Sequence, residues 1–145
     1  LRGVIEHYSF LPHLRQLAAL DTGEPLREQL IGLGRQWRRF VHDQRALVRL
    51  MLGEMARDPS ITQILHETIG HENTAVVARM LRPRIPGSVP EEHVTAAVRL
   101  FFSSLFWHFV FEERLGLAVD PEADARLASA VDVVLAALGV AEVSP

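Results

Sequence analysis

The chain has 145 residues, of which 48% are apolar and 23% are charged, and its formal net charge is −3. This length suits one domain with its own core, and the small negative charge gives no electrostatic reason to expect nucleic acid binding. The sequence contains no cysteine, which excludes disulfides, thiol catalysis and cysteine-ligated metals. No basic segment followed by an apolar run opens it, so we expect no secretory signal and a cytoplasmic protein. We also predict no cofactor.

Apolar residues recur at spacings of three and four along most of the chain, a pattern that predicts helices. The first would run from residue 1 to about residue 20, kinked or divided at Pro12. A second is predicted for Pro25–His42 and a short third for Gln44–Ala56. A fourth, which either Asp58 or Ser60 can cap, runs to about Leu81. Because no segment alternates with period two, we predict no sheet.

The second predicted helix combines a buried stripe with a basic face and two glycines. Its apolar residues at helical spacing are Leu26, Leu30, Leu33, Trp37, Phe40 and Val41. Gly32 and Gly34 each cost about 1 kcal/mol relative to alanine in an exposed helix. They either permit close helix contact or leave room for a ligand. The basic residues Arg35, Arg38 and Arg39 indicate a solvated face, with a phosphate site as the alternative.

The stretch Pro90–Leu117 predicts a helix that is apolar on almost every side. Its main stripe is Val94, Val98, Phe101, Leu105 and Phe109, and further apolar residues are Ala96, Leu100, Phe106, Trp107, Val110 and Phe111. A helix that is apolar all round must be covered all round. We therefore expect one side to face the core and another a partner chain. A membrane span is the weaker explanation, because Arg99 and His108 interrupt the run.

The last predicted helix begins near Asp120 and ends at Leu138, before Gly139. Its stripe is Leu127, Val131, Val134, Leu135 and Leu138, and its many alanines would permit close helix approach.

Two histidine-containing segments are candidates for chemistry. His66 and His71 resemble a zinc-protease motif, but they are five residues apart, about 140° around an α-helix, instead of the four that place both rings on one face. Glu67 and His71 have the spacing for a shared metal, although a solvated pair is the preferred interpretation. His108 is interpreted first as a core or interface histidine, with a ligand contact or a catalytic base as alternatives. We therefore predict no metal site.

Three segments together resemble the C-terminal effector-binding and dimerisation domain of tetracycline repressor-like (TetR family) transcriptional regulators. They are the short-helix segment from His42 through Asp58-Pro59 to Ile61, the helix Val94–Leu117, and the final helix Ala130–Gly139. The resemblance implies an all-α, six-helix orthogonal bundle over residues 1–145. Its last two helices would form a four-helix bundle with those of a second copy. The family's helix-turn-helix DNA reader is not found in these residues, so operator DNA would be bound only through a missing N-terminal domain.

The resemblance also implies two sets of site residues in a homodimer. A pocket for a small hydrophobic effector would be lined by Trp37, Phe40, Met51, Met55, Ile69, Phe102 and Phe106. The dimer interface would contain Trp107, Val110, Phe111, Leu127, Ala128, Val131 and Val134. Effector binding would then favour a spacing of the DNA readers that does not fit the operator. This is the action expected of a repressor that a ligand releases.

Two other functions are compatible with the sequence. One is a small helical enzyme that acts on a hydrophobic substrate through His108 or His66. The other is a helical interaction module that binds no ligand. Upstream coding sequence for a helix-turn-helix would favour the regulator, and a closed interior would favour the interaction module.

Overall fold

A computed structural model describes residues 9–19, 23–115 and 122–140, except for the side chains of residues 68, 69, 111 and 113–115. Its helices are α1 (Leu11–Ala19), α2 (Leu26–Asp43), α3 (Arg45–Met55), α4 (Pro59–Leu65), α5 (Glu72–Leu81), α6 (Glu91–Leu115) and α7 (Ala123–Ala137). A π-helical segment, His66–His71, joins α4 to α5, and a 3₁₀ turn, Arg82–Arg84, follows α5. No strand occurs in these ranges, so the all-α prediction is confirmed.

The predicted fourth helix is one helical run with a π-helical middle. Gly70 is a weak helix former, and the Thr74 hydroxyl donates a 2.6 Å hydrogen bond to the Gly70 carbonyl. In a π-helix the backbone bonds join residues i and i+5. The α-helical angle of 140° between His66 and His71 therefore does not apply to this segment. Across the described residues, no group of three or more metal-ligating side chains is found.

Local signals in the sequence account for several helix ends. Asp58 caps α4 by accepting a 2.9 Å hydrogen bond from the Ser60 N–H, and this bonding holds the pKa of Asp58 below its ordinary value. After α7, Gly139 has a φ of +68°, and the Val140 N–H donates to the Leu135 carbonyl over 3.0 Å. This is the left-handed glycine ending expected of a Schellman motif.

The first predicted helix is described only in part. Residues 9 and 10 form a bend and α1 begins at Leu11, which places Pro12 in the first turn, where its missing N–H costs nothing. The helix predicted from residue 1 therefore does not continue through residues 9 and 10. The rest of that prediction, over residues 1–8, lies outside the described residues.

The core lies where α2, α5, α6 and α7 meet. Helix α6 packs against α2, α5 and α7, and α7 also packs against α2. The stripe predicted on α6 is buried, with exposed fractions of 0–7% from Val94 to Phe109. The predicted stripe of α2 is buried except for Phe40, which is half-buried, and the stripe predicted on α7 is buried throughout. None of the described helices has the length and apolar character to cross a membrane.

The two glycines of α2 have different surroundings. A Cβ built on Gly34 would lie 2.5 Å from Leu127 Cδ1 and 3.3 Å from Leu127 Cγ, whereas a Cβ on Gly32 would meet nothing within 4 Å. Gly34 therefore permits the close approach of α2 and α7. From the sequence, these two glycines could serve either close helix contact or the space for a ligand. The structure shows that Gly34 serves close helix contact.

We expect Gly34→Ala to be less stable than Gly32→Ala by about 1–3 kcal/mol, the usual cost of an overpacked core. Both substitutions bring the same gain in helix propensity, about 1 kcal/mol, so their difference isolates the contact with Leu127. Urea unfolding monitored by circular dichroism would measure it. Equal midpoints for the two variants would contradict the close-approach role of Gly34.

Candidate functional site

A cleft of about 400 Å³ opens between the C-terminal halves of α2 and α6, beside the first turn of α7. Each wall is one helix face with residues at i, i+3, i+4 and i+7. The α2 wall ends at Asp43, and α7 contributes Asp124. The remaining lining residues are Arg35, Arg38, Arg39 and His42 from α2, and Leu105, His108, Phe109 and Glu112 from α6.

The α2 wall is basic, and part of its charge is already paired. Arg35 Nε donates to Asp124 Oδ2 over 3.1 Å, and Arg38 Nη1 donates to Asp124 Oδ1 over 3.3 Å. The Asp124 carboxylate thus accepts hydrogen bonds from two guanidinium groups. Arg39 is exposed, and among the described residues it has neither an ion pair nor a hydrogen-bond partner for its side chain. The wall therefore retains capacity for an additional acceptor or anion.

The α6 wall combines an apolar floor with an acid and a histidine. Leu105 and Phe109 are 5% and 7% exposed. His108 Nε2 lies 3.9 Å from Glu112 Oε1, which is beyond hydrogen-bonding distance. The Glu112 Oε1 atom is buried, and no donor in the described part of the chain bonds to it. A buried acceptor without a donor is costly, and the Glu112 side chain is 24% exposed, so a small rotation of this carboxylate would let it accept from a donor outside the chain.

The lining suits the binding of a small molecule. Among the described lining residues, the polar side chains are arginines, histidines and carboxylates, which can donate to or accept from the polar groups of a ligand. The volume falls in the usual range for small-molecule sites, about 300–1,000 Å³.

A second feature is a set of large apolar side chains that are exposed on α6 and α7. Leu100 and Trp107 lie on one side of α6, two helical turns apart, and are 67% and 63% exposed, whereas Phe106 is 39% exposed. On α7, Val133 is 69% exposed, and Ala137 lies one turn further on the same side. We call Leu100, Phe106, Trp107 and Val133 the outer apolar face.

A family model for the tetracyclin repressor-like C-terminal domain matches residues 30–139, which include both the cleft and the outer apolar face. The chain belongs to this TetR-like family. Membership supports a general role in ligand binding and dimerisation within a regulator, in a family that is regulatory and not enzymatic. No curated protein and no solved structure matched the chain.

In this TetR-like domain, the seven residues predicted to line an effector pocket do not form the cleft. Trp37 is 7% exposed and belongs to the core. Phe40 is half-buried with its ring centroid 5.4 Å from that of Phe10, and Phe102 is half-buried against Phe101. Met51 and Met55 are half-buried on α3, Phe106 lies on the surface, and the Ile69 side chain lies outside the described residues. Their role in ligand binding stays a prediction.

The residues predicted for the dimer interface divide into two groups. Trp107 is exposed, Val110 and Ala128 are half-buried, and the Phe111 side chain is not among those described. Leu127, Val131 and Val134 are 0–6% exposed and belong to the core of their own chain. The structure therefore makes Val133 the exposed large apolar residue on α7, a position that the prediction did not include.

The cleft residues were visible in the sequence only as separate patterns. Arg35, Arg38 and Arg39 were interpreted as a solvated face, and His108 as a core or interface residue. The i, i+3, i+4, i+7 spacing was present on both helices. The sequence did not indicate that these two helix faces oppose each other or that Asp124 lies beside them.

Proposed function

We propose that this chain is the effector-binding and dimerisation domain of a TetR-like transcriptional regulator that acts as a repressor released by a small ligand. In line with the family resemblance, contact with operator DNA belongs to a helix-turn-helix domain of the parent protein. This domain would supply the ligand site and the contact between two copies.

The outer apolar face is the observation that carries the proposal. Trp107 is a large side chain that is 63% exposed, and Leu100 on α6 and Val133 on α7 are further exposed apolar side chains, at 67% and 69%. Exposed apolar patches of this kind mark interaction sites. A second copy of the same face would cover it across a two-fold axis, and α6 and α7 of each protomer would form a four-helix bundle. The interface helices would be held in place by core residues of their own chain, Leu127, Val131 and Val134.

The cleft is the better candidate for the ligand than the interior. Trp37 and the α6 stripe pack within the core, whereas the cleft offers about 400 Å³ with an apolar floor and convergent polar groups. The hydrophobic part of an effector would lie over Leu105 and Phe109. Its polar groups would meet the two walls.

The state of association tests this proposal. We expect sedimentation velocity to give twice the mass of one chain at micromolar concentration, because the exposed aromatic and aliphatic side chains are buried only in the dimer. A chain that remains monomeric throughout the micromolar range would contradict the proposed function. Dilution of the dimer should reveal a single monomer–dimer equilibrium.

A further inference from the structure

The two walls of the cleft have different unmet hydrogen-bonding needs. On α2, Arg35 and Arg38 share Asp124, and Arg39 has no acceptor among the described residues. On α6, Glu112 Oε1 is buried and has no donor there. The first wall can take an acceptor or anion, and the second can take a donor. Leu105 and Phe109 form the apolar surface of the α6 wall.

The charges of the lining limit the ligand further. Three arginines are matched by three carboxylates, those of Asp43, Glu112 and Asp124, so the cleft as a whole favours neither a simple anion nor a simple cation. An ammonium group at Glu112 would share the cleft with the arginines and would be opposed by them. A neutral hydroxyl satisfies the Glu112 acceptor without that repulsion. A carboxylate suits the guanidinium groups, which bind it with charge-assisted hydrogen bonds.

We propose that the cleft binds a small hydroxylated carboxylic acid, with its carboxylate at Arg39, its apolar body over Leu105 and Phe109, and its hydroxyl donating to Glu112. This rests on the proposed function, since it names the chemical class of the effector. Both polar walls thus recognise the ligand, and each end contributes separately to selectivity.

Four related probes separate the two ends of such a ligand. They are 4-hydroxycinnamate, which has both groups; 4-methoxycinnamate, which cannot donate; methyl 4-hydroxycinnamate, which has no carboxylate; and cinnamate, which has no hydroxyl. Isothermal titration calorimetry of the whole chain at neutral pH should show saturable, submillimolar binding of 4-hydroxycinnamate. The methoxy compound and the methyl ester should each bind about tenfold more weakly, because each leaves one wall unsatisfied.

Variants assign each preference to a residue. Glu112→Met keeps the length of the side chain but removes the acceptor, and should abolish the preference for hydroxyl over methoxy while the preference for the acid over the ester persists. Arg39→Met should abolish the preference for the acid over the ester, while the preference for hydroxyl over methoxy persists. Arg79→Met, at an exposed arginine on α5 outside the cleft, is the matched control and should leave all four affinities unchanged. Circular dichroism would check the folding of each variant.

Three results would overturn the inference. They are equal affinities for the hydroxy and methoxy acids, a hydroxyl preference that survives in Glu112→Met, and no saturable binding of 4-hydroxycinnamate up to millimolar concentration. If the chain is nevertheless dimeric, any of these rejects the ligand class and leaves the proposed function standing. A monomeric chain that binds none of the four probes rejects both.

Discussion

A Leu100→Glu substitution should raise the dissociation constant of the proposed homodimer at least about a hundredfold. Covering one leucine is worth about 1.5–3 kcal/mol, and a two-fold interface contains the changed residue twice. The loss is therefore about 3 kcal/mol or more before the cost of covering two carboxylates is added. The protomer itself should hardly be affected, because Leu100 is 67% exposed. Sedimentation equilibrium over a dilution series would measure the change.

Leu50→Glu is the matched control for this result. Leu50 is 61% exposed on α3, a helix with no buried residue, and the substitution makes the same chemical change away from the outer apolar face. It should leave the dimer as tight as in the parent chain. If Leu50→Glu dissociates the dimer and Leu100→Glu does not, the interface lies elsewhere on the molecule.

A Phe101→Ala substitution should lower the free energy of unfolding by about 3–5 kcal/mol. Phe101 is 1% exposed and is among the largest fully buried side chains, so its removal leaves a cavity among packed helices. For a chain of this length such a loss is a large fraction of the whole stability. Urea unfolding at a fixed protein concentration would measure it, because dimerisation contributes to apparent stability.

Phe102→Ala is the comparison that isolates burial. The rings of Phe101 and Phe102 are edge to face with centroids 5.6 Å apart, so both variants lose the same ring contact. Phe102 is only half-buried, and its removal should cost about half as much. Equal losses for the two variants would mean that Phe101 is not a central core residue.

The sequence predicted the buried side of each long helix well, because periodicity reports directly on burial. The α6 stripe from Val94 to Phe109 was predicted residue by residue. Asp58 and Gly139 likewise marked helix ends through their own chemistry. These signals are local, and a single helix contains all the information that they need.

Features that depend on how two helices pack together were harder to predict from the sequence. Helix α7 is apolar on more than one side, and its sequence does not reveal which apolar side chains face a partner: Val131 was predicted both for the buried stripe and for the dimer interface, and it lies in the core. Large aromatic residues such as Trp37 suggest a pocket wall and a solid core equally well. The cleft is formed by a basic face of α2 and a mixed apolar and polar face of α6, so its recognition required knowing that Arg38 and Glu112 line one opening. The π-helical segment His66–His71 was not predicted either, because helical spacing of apolar residues does not distinguish it from an α-helix.

The absence of a side chain at residue 34 also has an evolutionary consequence. The space beside Gly34 is filled by the end of Leu127, so the two positions share one volume. A larger residue at 34 requires the Leu127 side chain to move or to be replaced by a smaller one, so changes at 34 should often be accompanied by changes at 127. Gly32, with open space beside it, is under no such mutual constraint.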